Sequence, residues 1–248
     1  MTRRLLILAT LLLPLAAQAQ FDAASPDARA GALGGCYVRP ADSTGYVDVG
    51  WRQAFGVKGM ATRTLGLGTP LGAVGQAALR YCGFGDADYN VHRLTAGCSM
   101  TVASWLTIMV YGLYTHSGTL DAHYVSQEWL DAGGGVAAGG DRLWAYALAG
   151  SRSWSDTRPW RLRAGVNYCP MQQLTTAVAV SYDERVRLRC GVEYAIERHA
   201  FLRAGLCSNP LALTFGIGYS QRHYHIDLAT EVHSLLGLSP QISLGLCL

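Results

Sequence analysis

The chain has 248 residues, 50% of them hydrophobic and only 15% charged, with a formal net charge of +3. Water-soluble domains carry about 25% charged residues, so this composition argues against an ordinary soluble surface. A balance this mild, with no basic cluster interleaved with aromatics, sets nucleic acid aside as a partner; Lys58 is the only lysine, so the positive charge is otherwise arginine.

Arg3 and Arg4 precede an apolar stretch from Leu5 to Leu15, broken only by Thr10 and Pro14, and Ala17-Gln18-Ala19 is a small-x-small cleavage site. Residues 1–19 therefore read as a signal peptide, too short and wrongly flanked for a spanning helix. With no cysteine at the cleavage point, a lipoprotein anchor is not expected, and the mature chain starts near Gln20. Residues 20–33 form an N-terminal lead-in, and residues 34–248 carry the remainder of the fold.

From Val47 onward the pattern is alternation. Val47, Val49 and Trp51 alternate with Asp48, Gly50 and Arg52; Trp160, Leu162, Ala164, Val166 and Tyr168 alternate with Arg161, Arg163, Gly165 and Asn167. The same period of two runs through Thr176–Tyr182, Leu213–Tyr219 and Ile242–Leu248. This is the signature of strands with one apolar face. Turn-like clusters separate the runs at 83–88, 117–123, 139–141, 156–159, 183–184 and 208–210. Roughly fourteen strands result, most near the ~10 residues that a tilted strand needs to cross a bilayer. One window is ambiguous: Leu94 to Leu120 contains no Asp, Glu, Lys or Arg, and its length suits a transmembrane helix. Its first half alternates as a strand, whereas Leu106 to Tyr114 is apolar on both parities. The glycines of "AGGGVAAGGD" (132–141) lack the Gly-Lys-Ser/Thr of a phosphate loop and predict a bulge, a bend or close packing.

The stretch "RVRLRCGVEYAI" (185–196) decides what the two faces see. Arg185, Arg187, Arg189 and Glu193 share one parity; Val186, Leu188, Cys190, Val192, Tyr194 and Ile196 share the other. In a soluble sandwich the apolar faces would meet in a common core beneath a solvated surface. Here the polar parity is Gly, Ala, Ser, Thr and Asn with arginines, and the apolar parity is broad and often ends in aromatics, as in the girdles of membrane barrels. The predicted class is all-β, a transmembrane antiparallel β-barrel of about 14 strands. Leu188, Val192, Tyr194, Leu213, Phe215, Ile217, Leu244 and Leu246 are expected to face lipid. Arg161, Arg163, Arg187, Arg189, Glu193, Arg203, Asp227 and Glu231 are expected to line the lumen as a charge network that braces the barrel, since buried charges need partners. An anion or headgroup path along the same arginines is the sharper alternative.

Other candidate chemistry is sparse. His223, His225, Asp227, Glu231 and His233 share a parity and would approach a metal, but they read first as a turn residue and polar lumen filler. No metal and no cofactor is expected. Ser126, Ser153 or Asp156 beside a histidine would make a barrel-embedded hydrolase, yet no motif supports one, and a non-enzymatic protein is expected. The seven cysteines contain no CxxC. Cys98 and Cys190 fall on apolar faces as small hydrophobes. Cys82, Cys169, Cys207 and Cys247 fall on the opposite parity, where pairing inside is an option whose connectivity the sequence leaves open.

The strands "GVEY" (191–194), "FLRAG" (201–205), "TFGIGY" (214–219), "IDLATEVHSLLG" (226–237) and "PQISLGL" (240–246) resemble the C-terminal strands of the PorV/PorQ-type outer-membrane proteins, a group related to the FadL-type transporters. "SPDARAGALGG" (25–35) looks like the small-residue lead-in of the same group. The resemblance implies a FadL/PorV-like 14-stranded barrel in the outer membrane of a Gram-negative bacterium. It also implies relatives that serve type IX secretion or move hydrophobic molecules. Three departures stand out. An Asn-Pro-Ala-Gly-type stretch is missing after the lead-in, the chain ends in Leu248 rather than an aromatic, and the region ahead of the first strand is too short for a substantial hatch. The expected partners are outer-membrane lipid and either a secretion or envelope-assembly protein or a hydrophobic small molecule. An accessory or docking role is the first functional expectation, with hydrophobic transport as the alternative.

Overall fold

Alternation with a period of two becomes strand pairing along nearly all of the described chain. A computed structural model describes residues 27–36, 45–72, 75–119, 126–151, 160–183, 185–234 and 236–248; the predicted signal peptide, Ser153 and Asp156 lie outside them. A short helix, α1 (Ala28–Ala32), precedes the sheet. The first seven strands are β1 (Tyr46–Gln53), β2 (Ala61–Leu71), β3 (Gly75–Gly85), β4 (Tyr89–Ala103), β5 (Leu106–Thr119), β6 (Gln127–Gly139) and β7 (Leu143–Gly150). The second seven are β8 (Arg161–Met171), β9 (Leu174–Asp183), β10 (Arg185–Ala195), β11 (Ala200–Cys207), β12 (Ala212–Ser220), β13 (Tyr224–His233) and β14 (Gly237–Cys247). Each strand pairs with its sequence neighbours, and β14 returns to β1 antiparallel from Tyr46↔Cys247 to Arg52↔Gln241, closing a barrel of fourteen strands. Closure matters because an open edge would leave a row of unpaired N–H and C=O groups.

The ambiguous window is a hairpin. β4 and β5 pair from Tyr89↔Thr119 through Thr101↔Thr107, and no described helix is long and apolar enough to cross a membrane. The β-branched and aromatic content of Thr107, Ile108, Val110 and Tyr111 favours the pleated strand. Strands also run further into the hairpin tips than the turn residues suggest: β3 includes Gly83–Gly85 and β5 includes Ser117–Thr119. One irregularity has a local cause. The β8–β9 register shifts between Tyr168 and Met171, where Pro170 has no N–H to give the ladder and a bulge absorbs it.

The two parities lie on opposite faces of the barrel wall. Leu188, Val192, Tyr194, Leu213, Phe215, Ile217, Leu244 and Leu246 point outward and are 42–57% exposed. Arg161, Arg163, Arg189, Glu193, Arg203 and Asp227 point inward and are buried, with Arg187 and Glu231 half-buried on the same side. The interior also holds α1 and the residues that follow it to Cys36, so Gly34–Cys36 belong with the lead-in rather than with the barrel wall. Residues 27–36 of the region ahead of β1 thus lie inside the barrel, against the wall.

Candidate functional site

The site is the lumen and the segment lodged in it. Asp27 caps α1 by accepting from the Arg29 N–H at 3.0 Å, and Ala28 and Ala32 are fully buried. Gly34 and Gly35 then take φ of +68° and +81°, a left-handed turn that side chains with a Cβ resist. The barrel wall is cut to receive this turn. A Cβ on Gly205 would lie 2.5 Å from the Leu33 carbonyl carbon, and one on Gly191 would lie 2.6 Å from the Leu33 oxygen. The Thr214 hydroxyl donates to the Ala32 carbonyl at 2.8 Å and accepts from the Gly34 N–H at 2.9 Å, while the Ala28 N–H donates to Ser243 Oγ at 3.2 Å. The small inward residues of β10–β14 are thus a seat for the plug.

Charge fastens the plug to the same side. Arg29 donates from Nε and Nη2 to the two carboxylate oxygens of Glu193 at 2.9 and 2.7 Å. Arg203 donates from Nε to Glu193 Oε2 at 2.6 Å and from Nη1 to Asp227 at 2.5 Å. Two guanidiniums and two carboxylates alternate across α1, β10, β11 and β13, so each buried charge meets its opposite in bidentate or shared geometry. Two further pairs, Arg52–Glu231 at 2.9 Å and Arg80–Asp48 at 3.0 Å, neutralise the β1–β3 and β13 side.

The β8–β10 side differs. Arg161 and Arg163 project from β8, and Arg187 and Arg189 from β10, across the small inward residues Ala177, Ala179 and Ser181 of β9. Arg163 and Arg189 both donate to the Gly35 carbonyl. Asp183 reaches Arg161 Nε and Arg187 Nη1, each at 4.0 Å. Cys36 lies beside these groups, its thiol 3.7 Å from the Ala177 carbonyl. Burial pushes that thiol up to about 12, the nearby Arg163 and Arg189 charges offsetting only part of the shift, so Cys36 is a protonated packing residue rather than a nucleophile.

On β5, β6, β7 and β9 part of the inner face is apolar, beside the buried polar Thr115, Asp131 and Asn167. Tyr111, Ala137, Trp144, Tyr146, Leu148, Ala149, Ala177 and Ala179 form one buried cluster with Leu33 and Cys36 of the plug. The Trp144 and Tyr146 rings lie 5.4 Å apart, and the Tyr111 hydroxyl donates to the Ala149 carbonyl at 3.4 Å. That hydroxyl lies over Gly133, where a Cβ would collide with it, so the glycine run of β6 serves close packing.

The eight predicted lumen charges all face inward, but they fall into separate groups rather than one network. Glu193, Arg203 and Asp227 join Arg29, Glu231 joins Arg52, and Arg161 and Arg187 lie 4.0 Å from Asp183. The histidine parity does not build a metal centre. Asp227 is taken by Arg203 and Glu231 by Arg52; His233 accepts from the Leu236 N–H at 3.2 Å and packs edge-on to Phe55; His223 sits exposed in a turn. Among the described residues no group of three His, Cys, Asp or Glu side chains would hold a metal. All seven cysteines are free, so the option of pairing among Cys82, Cys169, Cys207 and Cys247 is not taken up. Sequence reasoning missed Arg29, the Arg80–Asp48 pair and the aromatic wall. The first carried no strand parity, and Trp144 and Tyr146 sit in "LWAYALAG", where both parities are apolar.

No protein-family profile and no curated protein matches the sequence. Solved structures do match. The Pseudomonas putida toluene transporter TodX aligns with a TM-score of 0.65 at 11% identity, over 94% of this chain and 97% of that one. The fold is that of the FadL-like outer-membrane barrels. The CymD monoaromatic hydrocarbon channel aligns with a TM-score of 0.58 at 12% identity, over 83% of this chain and 88% of that one. A mutant porin of Rh. blastica aligns with a TM-score of 0.51 at 8% identity, over 83% and 99%. At these identities the likeness is one of fold.

Proposed function

We propose that this chain is a non-enzymatic outer-membrane barrel of a Gram-negative bacterium that passes small hydrophobic molecules, with its N-terminal segment as the stopper. The observation that carries the reading is the apolar, aromatic cluster on the inner side of β5, β6, β7 and β9, which packs on the plug through Leu33 and Cys36. A wall of this kind gives an apolar solute a surface to follow once the plug shifts. Support comes from fold-level likeness to proteins described as a toluene transporter and a monoaromatic hydrocarbon channel. The outward apolar belt supports the location, because a contiguous exposed surface of this sort is rare on monomeric soluble proteins and calls for lipid. The test is uptake of radiolabelled toluene by cells producing the protein in their outer membrane. Uptake is expected to exceed that of empty-vector cells, and to rise again when Gly205→Val blocks the plug's seat. Equal uptake in all three would overturn the reading.

A second reading, an accessory or docking factor of the PorV/PorQ type in export or envelope assembly, is favoured by one observation: the plug is held by the bidentate Arg29–Glu193 ion pair and several hydrogen bonds. A barrel sealed this firmly would serve as a platform. Its test is affinity purification from native membranes, where a stoichiometric protein partner supports it and recovery of the barrel with lipid alone counts against it.

A further inference from the structure

Val166 and Tyr168 of β8 point outward, and Asn167 between them points into the barrel, where it is only 4% exposed. Its Nδ2 and its Oδ1 are both buried, and neither meets a hydrogen-bond partner among the described residues. The great majority of buried polar atoms in folded proteins are paired. A donor or acceptor left unmade inside carries its full desolvation penalty, whereas an apolar side chain of the same shape carries none. Packing alone therefore does not call for an amide at this position.

The register shows what the amide looks along. Trp144 of β7, Asn167 of β8, Ala177 of β9, Gly191 of β10 and Gly205 of β11 stand in one inward row. Gly191 and Gly205 receive the backbone of Leu33, and the Cys36 thiol donates to the Ala177 carbonyl at 3.7 Å. The plug thus lies along the small-residue stretch of the row that ends in Asn167 and Trp144. At Gly165, the next inward position of β8, the Tyr146 ring fills the place of a side chain. Once Leu33 and Cys36 move away, the row becomes a trough that spans roughly 14 Å from β8 to β11 at the usual strand spacing. Its floor is Ala177, Gly191 and Gly205, and an indole and an unpaired amide close one end. A mostly apolar cleft with a few placed polar groups is how small-molecule sites are built.

We propose that this row is a binding site for an aromatic solute that carries a carboxamide, with Asn167 as the residue that reads the polar group. An asparagine side chain presents an acceptor, Oδ1, and a donor, Nδ2, side by side. A carboxamide presents the complement: its N–H donates to Oδ1 and its carbonyl accepts from Nδ2, so both unpaired atoms are satisfied at once. Trp144 offers the ring an offset or edge-on aromatic contact, and Ala177 and Gly191 leave the space that the ring needs. Solute and plug compete for one row, and the carboxamide supplies the hydrogen bonds that the plug does not. The inference rests on the passage reading and narrows it, because the route then sorts aromatic solutes by their polar group. A site built to hydrogen-bond such a group rejects the analogue that lacks it far more strongly than an apolar pocket rejects an extra methylene.

The experiment is equilibrium binding of radiolabelled benzamide and of acetophenone, in which a methyl group replaces the amide nitrogen. Both are titrated into the detergent-refolded barrel and into its Gly205→Val variant, so that a seated plug does not mask the site. Benzamide is expected to bind saturably and more tightly than acetophenone, and more tightly again in Gly205→Val, where the change lies at the far end of the row from Asn167. Asn167→Leu should lower the affinity for benzamide by at least about tenfold relative to that for acetophenone. The same variant should raise the thermal midpoint of the unliganded barrel, because an apolar side chain of similar shape replaces two unpaired buried atoms. A merely structural asparagine would lower the midpoint when replaced and leave the ratio of affinities unchanged. Absence of saturable benzamide binding to both barrels overturns the site, and so does an unchanged ratio in Asn167→Leu. Should that variant fail to fold, the other two barrels decide, and tighter binding of acetophenone than of benzamide overturns the site. Toluene uptake by cells without any preference for benzamide would leave the passage standing and remove Asn167 from it. Benzamide binding without toluene uptake would keep the site and remove the passage.

Discussion

A methyl group placed on Gly205 would have nowhere to go: the Leu33 carbonyl carbon lies 2.5 Å from where it would sit. Wall and plug are both backbone here, so neither yields as a flexible side chain would. Gly205→Val is therefore expected to expel the segment from Asp27 to Cys36 while leaving the strand pairing of β11 intact. Cys36 reports the event. Its thiol, at about 12 when buried, is protonated at pH 8; an exposed thiol near 8.5 is partly ionised there, so the thiolate fraction rises by roughly a thousandfold on release. Iodoacetamide labelling at pH 8, read by peptide mass spectrometry, should be negligible at Cys36 in the parent protein and fast in the variant. Equal rates would show that the plug was never held by this seat.

Between elements, the link from α1 to β10, β11 and β13 is electrostatic. Glu193→Gln keeps the shape of the side chain and removes the charge shared by Arg29 and Arg203, leaving the part-exposed Arg29 and the buried Arg203 with Asp227 alone. Removing one partner of a buried pair costs about 3–5 kcal/mol, so the denaturant midpoint in detergent should fall by that order. Trypsin should then cut after Arg29, which the folded parent protects. A double-mutant cycle of Arg29→Met with Glu193→Gln is expected to give a coupling of about 1–3 kcal/mol; a coupling near zero would mean that the salt bridge contributes nothing to seating. This level also shows what a linear sequence carries. The alternation of Arg187, Arg189 and Glu193 with Leu188, Cys190 and Val192 was legible because a strand's period is two and the two media differ. Leu106–Tyr114 was not, because β5 faces outward with Ile108, Val110 and Tyr114 and inward with Met109, Tyr111 and Leu113, so both of its sides are apolar. The plug was invisible because its seat is built from Gly191, Gly205 and Thr214, far along the chain. The histidine row had its parity right, but the partners that claim Asp227 and Glu231 come from β11 and β1.

For the whole molecule, the outward belt fixes which substitutions hurt and where. Ile217, 54% exposed on β12, tolerates polarity in water but not in hydrocarbon. If lipid bathes this face, Ile217→Arg should destabilise the barrel in vesicles by about 2–4 kcal/mol, as for an arginine at the bilayer midplane. Folding equilibria in lipid vesicles measure this, and an unaffected equilibrium would remove the membrane from the account. The closed hydrogen-bond circuit through β1 and β14 was within reach of sequence reasoning. Its contents, a plug seated on small residues and tied to Glu193 through Arg29, were not.

The seven free thiols have an implication for how the molecule is made. Each lies on a separate structural element: Cys36 after α1, Cys82 on β3, Cys98 on β4, Cys169 on β8, Cys190 on β10, Cys207 on β11 and Cys247 on β14. In the finished barrel every sulfur is unbridged, yet if the chain is exported into an oxidising compartment it would present all of them at once before it closes. Any crosslink formed at that stage would have to be undone before the barrel could close as it does. Recovery of folded barrel should accordingly improve when a mild reductant accompanies refolding, the reverse of what a disulfide-stapled secreted protein requires.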